Sequence, residues 1–340
     1  MKKLEFTGAP GSPYTRKLLA TVRYRQIPYQ VYWGDRAIPE GYPKPKVRLL
    51  PTVFFPDGEN GELVATTDST PIIRRLERDY EGRSVIPSDP VLRFLNELIE
   101  DYADEWLTKC MFHYRWAHQA DAENAGPLLV YWGMNMAPAE MAKQFSDEFS
   151  KRQIERLYVV GSNDVTAETI ESSYQRLVGI LDQLIQRAGF VLGGRPSSAD
   201  FALYGQLTQL GIVDPTPAAL TNSISPRLRA WLDIIDDLSG HQPREDDWFT
   251  LAEANEALGP LLHEMGRTYA PAMVANAKAA MEGAPDFATQ IDGRKWSQPT
   301  FKYQAKSLGW LREAQSELSD TERGAVEALL SGTGCEILFH

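Results

Sequence analysis

A serine stands at the turn between a predicted strand and a predicted helix near the beginning of the chain. Lys3 to Thr7 alternates in polarity like a short strand, a Gly/Pro turn follows, and a helical pattern begins at Tyr14. The free N–H groups and partial positive charge of a helix start favour an anion, so the Ser12 hydroxyl is well placed to contact one. The structural alternative is that Ser12 caps the helix and Pro13 occupies its first position.

An acidic residue precedes a second predicted helix, which spans Ser69 to Tyr80. Asp68 and Ser69 offer a carboxylate, a hydroxyl and the exposed N–H groups of the helix start. An acid at such a position is chemically suited to a zwitterionic amino acid, whose ammonium and carboxylate need opposite charges. Here too a helix cap is the structural alternative, because Asp and Ser are among the commonest helix starters.

Both helix starts belong to a region in which strands and helices alternate. Three further strands are predicted at Tyr29–Trp33, Thr52–Phe55 and Leu63–Thr66. A Gly-rich segment at 57–61 lies between the last two and predicts a hairpin. The predicted order is therefore β-α-β-β-β-α, and it occupies the first 86 residues of the chain.

The pattern becomes helical after a plausible linker at 87–90. The clearest predicted helix spans Thr166–Arg187, where apolar residues recur at helical spacing along one side. Ser197 and Asp200 predict a capping box at the start of another helix. Residues 241–340 predict several additional helices.

Four stretches of this sequence, taken together and in this order, resemble the glutathione transferases. They match the active-site turn of the serine- and cysteine-type members, the Val-Pro turn before the third strand, the acid-Ser-x-x-Ile stretch after the fourth strand, and the Gly-x-x-Pro-Ser/Thr-x-Ala-Asp signature of the helical domain. The four stretches are Gly11–Lys17, Leu50–Val53, Thr67–Leu76 and Leu192–Leu203.

The resemblance covers about residues 1–240 and implies a fold class. That class is an α/β thioredoxin-like N-terminal domain plus an all-α glutathione-transferase C-terminal domain, here with extra helices. The implied domains are a glutathione-binding domain at 1–86, a helical transferase domain at 87–240 and a helical C-terminal extension at 241–340.

The same resemblance implies how glutathione would bind. The Ser12 hydroxyl would donate to the glutathione thiolate, and the Leu50 backbone, with Pro51 in the cis form, would pair with the cysteinyl backbone. Asp68 would take the ammonium of the γ-glutamyl group, and Ser69 with the helix N–H groups would take its carboxylate.

Two departures from the family pattern limit this expectation. The active-site turn has no cysteine, which argues against glutaredoxin-like thiol exchange and stable glutathione adducts at this turn. Leu49 replaces the Lys or Gln that often contacts the glycyl carboxylate, so we expect that contact to be missing unless Arg48, Lys46 or Lys44 supplies it.

The second substrate is expected between the domains, against the first long helices of the second domain. Tyr102, Trp106 and His113 lie at helical spacings of four and seven residues, and Tyr14 stands next to the active-site turn. An aromatic cleft with a few polar groups suits an apolar or aromatic electrophile. The alternative is that these aromatic residues are core packing between helices.

Composition excludes several classes of partner. A formal net charge of −11 without a Lys/Arg run disfavours nucleic acid and anionic membranes, and no apolar stretch is long enough to span a bilayer. The two cysteines, Cys110 and Cys335, offer neither a disulfide framework nor a cysteine-based metal site, so we expect a cytoplasmic protein. No metal site is predicted, because His113 and His118 are five apart and would point to different faces of a helix.

The leading functional prediction is a glutathione-dependent transferase. Ser12 would hold glutathione as a thiolate for attack on an electrophile, in conjugation, reductive cleavage or peroxide reduction. Glutathione is then a co-substrate, and the resemblance also implies a homodimer. The alternatives are a non-catalytic glutathione-binding module and a scaffold that has kept the fold.

Overall fold

A mixed sheet forms the first part of the chain in the computed structural model, which describes residues 3–34 and 37–340. The strand order is β2-β1-β3-β4, with β1 and β2 parallel and the other pairs antiparallel. The order β-α-β-β-β-α predicted from the sequence is confirmed. The elements are β1 (Leu4–Gly8), α1 (Pro13–Tyr24), β2 (Tyr29–Trp33), β3 (Thr52–Phe55), β4 (Val64–Thr67) and α2 (Ser69–Asp79).

Helices follow from Pro90 onward, and two of them form where the sequence predicts them. The helix predicted at Thr166–Arg187 forms as α7, and the Ser197–Asp200 capping box begins α8 as predicted. Short π-helical segments at Ala103–Leu107 and Gln209–Val213 continue α3 and α8. The helices are α3 (Pro90–Tyr102), α4 (Thr108–Ala117), α5 (Gln119–Tyr131), α6 (Ala139–Ile154), α7 (Ala167–Ala188), α8 (Ser198–Thr208), α9 (Pro215–Ile224) and α10 (Pro226–Ile235).

The last hundred residues are not wholly helical, which corrects the expectation for 241–340. A hairpin of β5 and β6 interrupts the helices, and Asp292 and Gly293 form its turn with φ of 52° and 72°. An Asp-Gly pair with positive φ at both positions is the preferred two-residue hairpin turn. The elements are α11 (Leu251–Arg267), α12 (Tyr269–Glu282), β5 (Asp286–Ile291), β6 (Arg294–Pro299), α13 (Lys302–Ser316) and α14 (Asp320–Leu330).

One contiguous apolar core joins these parts, from Leu4 on β1 to Leu338 near the chain end. Helix α1 packs between the sheet and α8, and a Cβ placed on Gly205 of α8 would lie 2.4 Å from the Pro13 carbonyl oxygen. Only a glycine permits this approach of the two helices, so Gly205 fixes α1 against the helical region. Within the described ranges, every helix is too short or too polar to cross a membrane.

Candidate functional site

The sheet register brings the predicted glutathione-binding residues to one edge. Thr52 on β3 pairs with Thr7 on β1 and with Thr67 on β4, and both pairings are antiparallel. The end of β1, the beginning of β3 and the end of β4 therefore lie side by side. Because Ser12 follows β1 and Asp68 follows β4, the two predicted site residues lie at the same edge of the sheet.

Ser12 caps α1 and also faces the loop before β3. Its Oγ accepts a hydrogen bond from the Thr15 N–H at 3.2 Å, and its hydroxyl donates to the Leu50 carbonyl at 3.5 Å. The peptide bond between Leu50 and Pro51 is cis, which confirms that prediction. The alternative prediction that Ser12 caps the helix is thus confirmed. Its hydroxyl nevertheless lies beside the Leu50 backbone.

Asp68 adopts a backbone conformation that is unusual for its residue type. Its φ is +83°, and its side chain caps α2 by accepting from the Thr70 N–H at 3.3 Å. A non-glycine residue held at positive φ costs about 1–3 kcal/mol and is often found at ligand-binding sites. The neighbouring Ser69 is buried, so only Asp68 of this pair has substantial solvent exposure.

The C-terminal region supplies a contact to Asp68 that the sequence did not predict. The Tyr303 hydroxyl, near the start of α13, donates a hydrogen bond to Asp68 Oδ2. On the same helix, the Gln304 side chain donates to the Glu105 carbonyl at 3.2 Å. These two contacts place α13 directly against the predicted γ-glutamyl site. No local pattern connects residues 235 positions apart, so this neighbour of Asp68 could not be found from spacing.

A buried lysine lies behind this edge of the sheet. The Lys17 ammonium on α1 lies 2.8 Å from Glu100 and 2.5 Å from Asp104, and it donates to the Thr70 hydroxyl at 3.0 Å. Glu100 is also bonded to Arg74 at 2.9 Å. The cluster therefore joins helix α1, the start of α2 and the end of α3 through charges of which Lys17 and Glu100 are almost wholly buried.

The charges in this cluster shift the pKa of its members in different directions. Burial alone would lower the pKa of Lys17, but the carboxylates of Asp104 and Glu100 outweigh it and raise that pKa. Burial raises the pKa of Asp104 to about 6 against the opposing effect of Lys17. Burial also disfavours the charged form of Glu100, yet Arg74 and Lys17 lower its pKa. Lys17 is thus the cation that keeps Asp104 partly ionised near neutral pH.

The aromatic residues predicted to contact the second substrate lie in the core instead. Tyr102 is fully buried and packs edge-on against Tyr269 of α12 at 5.8 Å between ring centroids. Trp106 is 1% exposed, donates from Nε1 to the Ser173 hydroxyl at 3.2 Å and packs on Trp296 of β6. The helices and hairpin of the C-terminal region cover both residues, so neither is accessible to a substrate and the core-packing alternative holds.

Tyr14 and His113 are the remaining residues predicted to contact the second substrate. Tyr14 is half-buried, and its hydroxyl donates to the Asp104 carbonyl at 2.9 Å. His113 is buried, with Nδ1 2.7 Å from the Ser162 hydroxyl and Nε2 3.2 Å from Glu171 on α7. Of the four residues, only Tyr14 has a partly exposed side chain next to the Ser12 turn.

The expectation that His113 and His118 point to different faces is wrong. Helix α4 ends at Ala117, and His118 has extended backbone with φ of −97° and ψ of 128°. Because the chain leaves the helix there, the five-residue spacing no longer separates the two rings. His118 Nε2 lies 3.1 Å from Glu171 Oε1, the same oxygen that His113 approaches.

Comparison with known protein families gives two matches within the chain. The model of the glutathione S-transferase N-terminal domain matches residues 6–84, and the model of the C-terminal domain matches residues 164–233. No curated protein sequence matches the chain.

Several solved structures are similar at low sequence identity. A GST-like protein from Pseudomonas syringae is 18% identical over 69% of this chain and 67% of its own, with a TM-score of 0.42. The beta-etherase LigF from Sphingobium sp. strain SYK-6 is 18% identical over 71% and 96%, with a TM-score of 0.44. A glutathione transferase family member from Pseudomonas fluorescens Pf-5, solved with two glutathione molecules bound, is 15% identical over 68% and 87%, with a TM-score of 0.41.

Proposed function

We propose that this chain, a glutathione S-transferase-like enzyme that belongs to the glutathione S-transferase family, binds glutathione at the edge formed by Ser12, Leu50 and Asp68. The observation that supports the proposal most is that Thr7, Thr52 and Thr67 pair side by side in the sheet. This pairing brings Ser12, Leu50 and Asp68 to one edge of the sheet. A hydroxyl, a cis-proline loop and a carboxylate then face one extended ligand.

The Ser12 hydroxyl supplies the activation of the glutathione thiol in this proposal. A free thiol has a pKa of ~8.5, and each unit by which that pKa falls requires ~1.4 kcal/mol of preference for the thiolate. One hydrogen bond to a charged group provides ~1.5–3 kcal/mol, and the first turn of α1 adds its partial positive charge. In the structure the Ser12 hydroxyl donates to the Leu50 carbonyl over the long distance of 3.5 Å. A bound thiolate would replace this carbonyl as the acceptor.

The other end of glutathione would bind at the start of α2. Asp68 offers a half-buried carboxylate for the γ-glutamyl ammonium, and the N–H groups of the first turn offer donors for its carboxylate. The Tyr303 hydroxyl already uses one oxygen of Asp68. An ionised carboxylate has acceptor capacity for several donors, so the ammonium binds beside the phenol or displaces it.

The second substrate of the proposed enzyme is an electrophile that the glutathione thiolate attacks. We keep an apolar or aromatic electrophile, with conjugation, reductive cleavage and peroxide reduction as the open reaction types. Tyr14 is the predicted contact that we retain, since Tyr102, Trp106 and His113 are buried. A homodimer in the cytoplasm is part of the same proposal and rests on the family resemblance; sedimentation of the untagged chain tests its oligomeric state.

A non-catalytic protein of the same fold is the second candidate, and one observation favours it. Asp68, the residue meant for the ligand, already accepts a hydrogen bond from Tyr303 within the chain. A scaffold that no longer binds glutathione would be free to use Asp68 in this way.

Two substitutions separate catalysis from binding, because each preserves the local backbone. Ser12→Gly removes the hydroxyl but costs the α1 cap only a few tenths of a kcal/mol, whereas Ser12→Ala loses about 1 kcal/mol of stability as well. Asp68→Asn removes the charge but keeps a side chain that tolerates positive φ and can cap α2.

We expect Ser12→Gly to bind glutathione within a few-fold of the parent and to lose about 10- to 1,000-fold in turnover. Asp68→Asn should weaken glutathione binding by about 10- to 100-fold, as expected for a lost interaction of ~1.5–3 kcal/mol with a charged group. Calorimetric titration with glutathione and assays with a panel of electrophiles measure both quantities. Normal turnover by Ser12→Gly would reduce Ser12 to a helix cap, and a parent protein that does not bind glutathione would favour the scaffold.

A further inference from the structure

Two histidines and a glutamate converge at one point between α4 and α7. His113 is in the middle of α4, His118 immediately follows that helix, and Glu171 is in the second turn of α7. Each residue contributes one ligand atom, and the three atoms lie within 4.8 Å of one another. None of the three residues takes part in the proposed glutathione site.

The two distances from Glu171 to the histidines fit the tetrahedral coordination of zinc. Glu171 Oε1 lies 3.2 Å from His113 Nε2 and 3.1 Å from His118 Nε2. A zinc ion holds nitrogen and oxygen ligands at about 2.0–2.2 Å in a tetrahedral arrangement, which separates two ligand atoms by about 3.3 Å. Two imidazoles with one carboxylate are also a frequent set of protein ligands for a zinc ion that keeps one position for water.

The surroundings hold the two rings in the orientation that a metal requires. His113 Nδ1 is bonded to the Ser162 hydroxyl at 2.7 Å, so its Nε2 is directed toward Glu171. His118 stacks on Tyr114 with ring centroids 5.4 Å apart and an interplanar angle of 16°. A hydrogen bond to the second ring nitrogen is the usual outer partner of a metal-bound histidine.

The cluster is also open to ions from solution. The side chains of His118 and Glu171 are 33% and 34% exposed, whereas that of His113 is 4% exposed. His113 is therefore held in the protein interior, whereas His118 and Glu171 face solvent, from which an ion and a water as fourth ligand can reach the cluster.

We propose that His113, His118 and Glu171 form a binding site for a divalent zinc ion. The ligand-free alternative is a simple pair of hydrogen bonds, in which both imidazoles donate to the same carboxylate oxygen. The two arrangements differ in a measurable way, because a glutamine can accept hydrogen bonds from both rings but is a poor ligand for zinc.

The test uses the full-length untagged protein after treatment with a chelator and dialysis. Calorimetric titration with zinc chloride should give one site per chain, and cobalt should give the visible absorption bands of a tetrahedral complex. His118→Ala and Glu171→Gln should each weaken zinc binding by at least about 100-fold, beyond the 10–100-fold typical of an outer-shell partner. His263→Ala is the matched control, since His263 is an exposed helical histidine whose Nδ1 is bonded to the Gly259 carbonyl of its own helix.

Circular dichroism and thermal unfolding of each variant show whether it has folded. In the presence of zinc, the unfolding midpoint should rise for the parent and His263→Ala but not for His118→Ala or Glu171→Gln. Absence of zinc binding by the parent, or equal binding by parent and Glu171→Gln, would overturn the site and leave the hydrogen-bonded arrangement.

Discussion

Lys17 offers the most direct test of the charge cluster behind the proposed site. Lys17→Met keeps most of the side-chain volume on α1 but removes the ammonium that lies between Glu100 and Asp104. Glu100 keeps its bonds to Arg74 and Ser198, so the loss falls mainly on Asp104. Among the described residues, Asp104 Oδ1 has no hydrogen-bond partner, so without the lysine the carboxylate depends on the Thr70 hydroxyl, which lies 3.2 Å from Oδ2.

The size of the effect follows from this arrangement. Removing one partner of a buried ion pair typically costs about 3–5 kcal/mol, and we expect a loss in this range at pH 8. At lower pH the variant can protonate Asp104, and this limits the loss. Protonation of a group with an ordinary pKa of 3.8 costs about 1.4 kcal/mol per pH unit, so the loss should not exceed about 2 kcal/mol at pH 5.

The stability of Lys17→Met depends on pH through the proton that Asp104 binds. Without Lys17 the folded-state pKa of Asp104 rises further above its unfolded value, so the folded state retains a proton that the unfolded state releases. The unfolding free energy of Lys17→Met relative to the parent should therefore fall as pH rises from 5 to 8.

Urea denaturation followed by circular dichroism at both pH values measures these energies. Asp104→Asn combined with Lys17→Met should recover about 1–3 kcal/mol of the loss at pH 8, because the buried charge is gone. Lys143→Met is the control, since its partner Asp147 is 63% exposed and such a pair contributes at most about 1 kcal/mol. A loss independent of pH, or a double variant no more stable than Lys17→Met, would refute the role assigned to Lys17.

Three further predictions concern stability and reactivity. Burial raises the pKa of the Glu105 carboxyl, so stability should be lost as pH rises through the folded-state pKa of this group. Glu105→Gln should therefore flatten the dependence of the unfolding free energy on pH between 5 and 9. An unchanged slope would contradict this. Burial also raises the pKa of both Cys110 and Cys335 to about 12, so a thiol reagent should modify neither until urea is added, and rapid modification of either in the folded protein would count against their burial. Gly205→Ala should destabilise the protein by about 1–3 kcal/mol, because the added Cβ clashes with the α1 backbone. Gly179→Ala is the control, since Gly179 lies in α7 with open space around it, and this variant should be more stable by up to about 1 kcal/mol in the same denaturation assay.

Signals that act over a few residues were readable from the sequence. The Ser12 cap, the Asp68 cap and the Ser197 capping box each depend on a hydrogen bond to a backbone group two or three residues away. The strands were readable because aromatic and β-branched residues concentrate in them. The cis form of the bond before Pro51 was predicted from the family resemblance and could not be derived from local pattern, since few such bonds are cis.

Contacts between distant segments were not readable. Tyr303 reaches Asp68, and Trp296 covers Trp106, across separations of more than 150 residues. The aromatic pattern of α3 and its π-helical continuation therefore predicted a substrate cleft. In the structure, residues of the C-terminal extension cover these aromatic side chains and make them part of the core. The hairpin had a local signal, Asp292-Gly293, that the helical expectation for 241–340 overrode.

His118 shows a different reason for failure. A spacing of five separates two side chains only while both belong to one helix, and α4 ends one residue before His118. A one-residue difference in where the helix ends thus decides whether the two rings diverge or share Glu171. Helix ends are the least certain part of a pattern, so ligand sets near them require a structure.

The C-terminal region is consequently part of the candidate site as well as of the core. Its hairpin covers Trp106, its helix α12 covers Tyr102, and α13 contacts Asp68 through Tyr303. The face of α3 that was expected to receive the electrophile is therefore closed by residues of the chain itself. Tyr303 and Trp310 of α13 are 37% and 39% exposed, so under the proposed function the extension, rather than the buried aromatic stripe, offers an electrophile aromatic surface next to Asp68.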